Sequence, residues 1–127
     1  MRTRDCMPAE MRRALDEVFG DAVDDVELRE RSWFARLHGR IRATTRRNTI
    51  YLRGSLQEFF ADPELLLHEY FHVLRQWNRD RLSVWTYLQE CWRHGYWHNR
   101  YERQARRFVQ LRRDAYLQTL ARHRGAA

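Results

Sequence analysis

The sequence has no lysine: its 24 basic residues are all arginine, set against 17 acids for a net charge of +7. The arginines are scattered among acids rather than gathered in one tract. The charge therefore reads as solvated surface and coding bias, and argues against a nucleic-acid partner. Long apolar runs are missing too. The longest, Leu65 to Leu74, is interrupted by His68, Glu69 and His72 and cannot span a bilayer, so no membrane partner is expected. No apolar segment follows Met1 to Cys6, so no classical secretory signal is expected. The expectation is a cytoplasmic protein, unless a non-classical route exports it. Cys6 and Cys91 lack metal-type spacing and read as unpaired thiols. No repeat, low-complexity tract or linker divides the chain, so residues 1–127 read as a single domain.

What is present is enough for a packed core: 43% hydrophobic residues, with five Trp, six Tyr and six Phe. Met11, Leu15, Val18 and Phe19 recur at helical spacing, predicting a helix over 8–19 that Gly20 stops. An acidic stretch, Asp21 to Glu30, leads to a short strand. Over 33–56 the period changes to alternation, with Leu37, Gly39, Ile41 and Ala43 against Arg36, His38, Arg40 and Arg42. With a turn at Arg46 to Asn48 and the run Thr49 to Leu52, this predicts a β-hairpin or two neighbouring strands. Asp62, Pro63 and Glu64 start a helix over 62–77. Ser83 caps a bridging helix over 83–94 that Gly95 ends, and Asn99 caps a C-terminal helix over 99–122 with a frayed tail. The fold class is α+β, a small sheet packed on a central helix with a long C-terminal helix.

On that central helix, His68 and His72 lie four apart and project to one side, close enough to share an ion. Zinc accepts neutral imidazole, and a catalytic site keeps one position for water. Glu69 follows the first histidine, where it can act as general base and acid. The flanking residues are apolar, and burying a polar strip among them without partners costs on the order of 2–7 kcal/mol per neutral group. A cation removes most of that cost. The competing view is a hydrogen-bonded core, with Glu69 paired to Arg75 or Arg79.

Two histidines need a third ligand. The metzincin continuation requires Gly and His where this chain has Arg75 and Asn78, so that class is excluded. Glu102, in Asn99-Arg100-Tyr101-Glu102-Arg103-Gln104-Ala105, has the Glu-x-x-Ala form of gluzincins; His98, His94 and Glu90 compete with it. Glu102 also sits three residues after Asn99, where a capping box would occupy its carboxylate. Tyr96, His98 and Tyr101 are candidates for stabilising a developing oxyanion, and Gln76 for holding a histidine in place. A peptide substrate could add to a strand edge near Thr49 to Arg53, where Arg46, Arg47 and Arg53 would favour acidic peptides.

The residues His68-Glu69-Tyr70-Phe71-His72-Val73-Leu74-x-Gln76-Trp77, with Tyr87-Leu88, Gly95-Tyr96 and Asn99-x-Tyr101-Glu102-x-x-Ala105, resemble a family of bacterial zinc peptidases. Its members often carry the core-domain label of extracellular contractile injection systems. The resemblance covers about a third of the chain directly. Such sequences usually have proline where this one has Arg100. The resemblance implies a minimal zincin-like, gluzincin-type fold in which Zn2+ is held by His68, His72 and Glu102. It also implies Glu69 as catalytic acid/base, a peptide or protein substrate, and a place in a larger protein assembly. A catalytically inert zinc-containing module, or a zinc hydrolase acting on a non-peptide amide, is the alternative.

Overall fold

The computed structural model describes residues 1–36 and 42–125, so the alternation read at Leu37, Gly39 and Ile41 lies outside the described residues. The fold is mixed α+β. Helices α1 (Thr3–Cys6) and α2 (Ala9–Phe19) precede β1 (Glu27–Arg29), α3 (Trp33–Arg36), β2 (Ala43–Arg46) and β3 (Thr49–Leu52). Then come α4 (Leu56–Phe60), α5 (Pro63–Phe71), a π-helical segment (His72–Trp77), α6 (Val84–His98) and α7 (Arg100–Gly125).

Local chemistry explains most boundaries. Gly20 closes α2 in the left-handed region, at φ 70°, with its N–H on the Asp16 carbonyl. The Asp62 side chain accepts the Leu65 N–H at 3.1 Å and so starts α5, with Pro63 in its first turn. Ser83 and Thr86 cap α6 reciprocally. Gly95 breaks α6 as expected, at a non-helical φ of 76°, and a second short helical piece follows to His98.

Three expectations need correction. Trp33–Arg36 forms a single helical turn between β1 and β2, not the start of the β region. The helix expected over 62–77 becomes π-helical from His72, with the Asn78 N–H reaching the Val73 carbonyl at 2.8 Å. The C-terminal helix runs on to Gly125, since Tyr116 and Leu120 keep its apolar stripe buried near the end.

The sheet order is β1-β3-β2, with β1 parallel and β2 antiparallel to β3. Arg47 and Asn48 make the hairpin turn, Asn48 taking φ 54°. Helices α2 and α5 both pack on α7, where Phe108 stacks on Phe19 at 4.8 Å and lies 5.0 Å from Phe71. Thr3, fully buried, donates its hydroxyl to the Val26 carbonyl at 2.8 Å and shares a 2.7 Å hydrogen bond with the Tyr70 hydroxyl. That contact anchors the N-terminus on the central helix. No described helix is long and apolar enough to cross a membrane.

Tyr116 differs from Tyr70. It is 1% exposed and its hydroxyl has no hydrogen-bond partner among the described residues, and burial pushes its phenol up to about 12. An unpartnered buried hydroxyl costs about 1–3 kcal/mol. Tyr116→Phe should therefore leave the chain as stable as before, or more stable by about 1 kcal/mol. Thermal unfolding checks this, and a clear loss of stability would contradict it.

Candidate metal centre

Helical spacing brings His68 and His72 together on the inner face of α5 and its π-helical continuation. Their Nε2 atoms are 3.1 Å apart. The Glu102 carboxylate, in the first turn of α7, approaches both: Oε1 is 2.7 Å from His72 Nε2, and Oε2 is 3.3 Å from His68 Nε2. The three side chains come from segments packed directly on one another.

The competing role for Glu102 goes to the Tyr96 carbonyl, which accepts the Asn99 N–H at 3.3 Å. The Asn99 side chain caps α7 by accepting the Tyr101 N–H at 2.8 Å, while the Glu102 carboxylate points at the histidines. Arg100 stands at the first helical position. Its N–H reaches Glu90 Oε2 at 3.4 Å, a contact proline could not make. Glu90 is thus turned to Arg100, while His94 and His98 are exposed and line neither cavity beside the cluster.

Gln76 fixes the second histidine. The His72 Nδ1–H donates to Gln76 Oε1 at 2.6 Å, and Gln76 Nε2 donates to the Tyr101 carbonyl and to Gln104 Oε1, each at 3.0 Å. With the amide locked by two acceptors, its oxygen must face His72. This leaves Nε2 of His72 directed at the cluster, where it can offer a lone pair once its proton is displaced. His72 and Gln76 both lie in the π-helical turn, and such insertions are common at functional sites.

The electrostatics follow from burial. Desolvation alone would lower His72, but the hydrogen bond and charge of Glu102, with the charge of Glu69, outweigh it and raise His72 to about 9. Burial pushes Glu102 up, yet its two histidine partners hold it well below the usual carboxylate range. Glu69, 6% exposed, is raised by burial and by Glu102, with the histidines opposing.

The donor set suits a transition-metal ion. Two imidazole nitrogens and a carboxylate oxygen converge, and these are acceptors that a single proton satisfies only in part. Ligands at about 2.0–2.1 Å on a tetrahedral zinc stand about 3.3 Å apart. The observed 3.1 and 3.3 Å separations are close to that spacing, while the 2.7 Å contact of His72 with Glu102 is the shorter one of a hydrogen bond.

The model of the eCIS core domain matches residues 6–80. The chain belongs to the eCIS core domain family. No curated protein and no solved structure matches it. The matched span of this eCIS core chain includes His68, Glu69 and His72 but stops short of Glu102, whose place in the cluster rests on the packing of α7 alone.

The remaining candidates separate. Tyr96 lines two cavities that Glu69 also lines, and burial, the charge of Glu102, a hydrogen bond to Glu102 and the charge of Glu69 raise its phenol, keeping it protonated. Tyr101 is buried instead. Its hydroxyl accepts from Arg100 Nη2 at 2.8 Å, its ring stacks on Tyr87, and it lines neither cavity beside the cluster. The edge expected near Thr49 to Arg53 is not free, because β3 is the central strand. The edge facing the centre is β2, which sequence reasoning passed over. So were Leu82, Val84, Tyr87 and Leu88, which wall the adjoining cavity. The i, i+3, i+4 spacing of Val84, Tyr87 and Leu88 carried the only signal.

Proposed function

We propose that this eCIS core chain is a zinc-dependent hydrolase of gluzincin type that acts on peptide bonds. One observation carries the reading: a buried carboxylate, Glu69, opens onto the same cavity as His72 and Glu102. His68, His72 and Glu102 would hold the ion. Zinc supplies Lewis acidity there, lowering the pKa of water toward neutrality and polarising a carbonyl. Glu69 takes the proton of the attacking water and delivers it to the leaving amine. Its raised proton affinity suits that exchange. Tyr96, held protonated at the cavity wall, donates to the oxygen that gains charge. Gln76 keeps the His72 ring in the required tautomer.

A second reading has its own support. Family membership favours a role in a contractile injection assembly, and α6 presents Trp85 and Trp92 to solvent at 81% and 89% exposure. A metal-stabilised docking module would use such a face. The test between them is zinc-dependent cleavage of a peptide mixture by the chain and by its Glu69→Gln form, read as new N-termini by mass spectrometry.

Metal uptake should depend on pH. Below about 9 the metal-free His72 holds a proton that an ion must displace. Affinity should therefore rise about tenfold per pH unit from neutrality toward 9 and level off above it. Calorimetric titration in buffers of different ionisation enthalpy counts the released proton; no release at pH 7 would contradict the assignment.

A further inference from the structure

We propose that α6 is a peripheral membrane anchor, which lays its tryptophan face on an anionic lipid surface. The anchor goes beyond the hydrolase reading and holds with or without it.

The helix stands outside the core. None of its 15 residues is buried, although it carries Trp85, Leu88 and Trp92. A lone helix of that length is marginal in water and gains its stability by covering an apolar stripe. Spacings of three and four residues set these side chains in one stripe about 10 Å long. They are 81%, 53% and 89% exposed, and with Thr86 and Gln89 they line a shallow groove. The inner side of α6 is engaged elsewhere. Asn99 Nδ2 donates to the Tyr87 carbonyl at 3.3 Å and to Cys91 Sγ at 3.2 Å, and Val84 and Tyr87 wall the cavity beside the metal centre.

Tryptophan suits a boundary between lipid and water, because its ring is apolar while its indole N–H keeps a polar partner. Trp77 donates that N–H to Thr45 within the protein. Trp85 and Trp92 have no protein acceptor among the described residues, which leaves both N–H groups for water or headgroup oxygens.

Charge selects an anionic surface. Between residues 81 and 107 stand six arginines, Arg81, Arg93, Arg100, Arg103, Arg106 and Arg107, against two acids. Both acids are occupied, Glu90 by Arg100 and Glu102 by the histidines. Arg81, Arg93, Arg103 and Arg107 are exposed and pair with no acid among the described residues. Arg93 lies four residues after Gln89 and so borders the stripe. A second copy of the chain would set the same unpaired arginines against these. An anionic headgroup layer attracts them instead, by about fivefold in affinity for each arginine near the surface. Two protruding rings enter such a layer without needing a matching pocket.

The expectation of no membrane partner came from the lack of a spanning segment. A helix lying on the surface needs no such length. Leu88 belongs both to the stripe and to the wall of the cavity, so docking would set the mouth of that cavity at the lipid surface.

The experiment is sedimentation of the full zinc-loaded chain with vesicles of phosphatidylcholine alone, and with vesicles in which roughly one-third is phosphatidylserine. The anionic vesicles should bind about tenfold or more tightly, and rising salt should weaken them. Trp85→Ala combined with Trp92→Ala should reduce that affinity by about tenfold or more, with circular dichroism unchanged because both side chains lie outside the core. Arg93→Gln should cost about fivefold. Arg13→Gln, the same change of charge at an exposed position of α2, should alter binding little. Equal binding to both vesicles, unchanged affinity in the double tryptophan variant, or equal losses in the two arginine variants would each overturn the proposal. No binding to either vesicle would also overturn it, and would leave the stripe to a protein partner. Anionic-vesicle binding by a chain that cleaves nothing would uphold the anchor and remove the hydrolase reading alone.

Discussion

Changing Glu69 to Gln should abolish peptide cleavage while the protein keeps its zinc and its fold. General acid–base groups typically contribute about 10²- to 10⁴-fold to rate, and the turnover number should fall by that range. Gln has the same shape, so the packing around a side chain that is 6% exposed is preserved. It also relieves a burial cost, since Glu69 is a desolvated carboxylate with a second carboxylate, Glu102, raising its proton affinity further. Stability should thus be unchanged or slightly improved, which separates chemical loss from structural loss. Zinc content measured beside turnover decides the matter. A Glu69→Gln chain that cleaves as fast as its parent would end the hydrolase reading and leave the docking module. A parent chain that cleaves no peptide, loaded with zinc, would do the same.

How much of this was legible in the sequence depends on whether a feature is local. The four-residue interval between His68 and His72 survives a change of helix type, because both residues remain near one face where α5 passes into the π-helical turn. The caps at Asp62 and Ser83 depend on neighbours three residues away and were equally plain. Glu102 was not decidable in that way. Its local option, bonding back to the Asn99 cap, and its distant option, joining the histidines, are both consistent with the sequence. Only the packing of α5 on α7 settles which partner lies closer. The free edge of β2 is less local still. A hairpin read from sequence has two outer edges, and it is β1, pairing in parallel from a segment over 20 residues earlier, that covers β3 and leaves β2 open. The π-helical turn has no residue signature comparable to a cap, which is why Gln76 could be assigned a supporting role but not its geometry.

Removal of the third acid should have the other large effect. Glu102→Ala should reduce zinc affinity by more than the roughly 10- to 100-fold typical of losing an outer partner, because a direct donor disappears. The consequences extend to stability. An ion bound only by the folded state adds about 2.7 kcal/mol at a hundredfold excess over its Kd, so zinc should raise the Tm of the parent chain and barely shift that of the variant. The metal-free variant changes as well. Glu102 supplies most of the attraction that lifts His72 to about 9, so without it burial dominates and the imidazole becomes neutral at lower pH. The variant should accordingly bind its residual zinc with a flatter pH dependence near neutrality than the parent does. Glu90→Ala provides the contrast: that carboxylate is engaged with Arg100, and its loss should leave zinc binding as it was. Zinc retained at parental affinity in Glu102→Ala, with affinity lost instead in Glu90→Ala, would transfer the third position to α6. The placement of α7 over the central helix would then need another explanation.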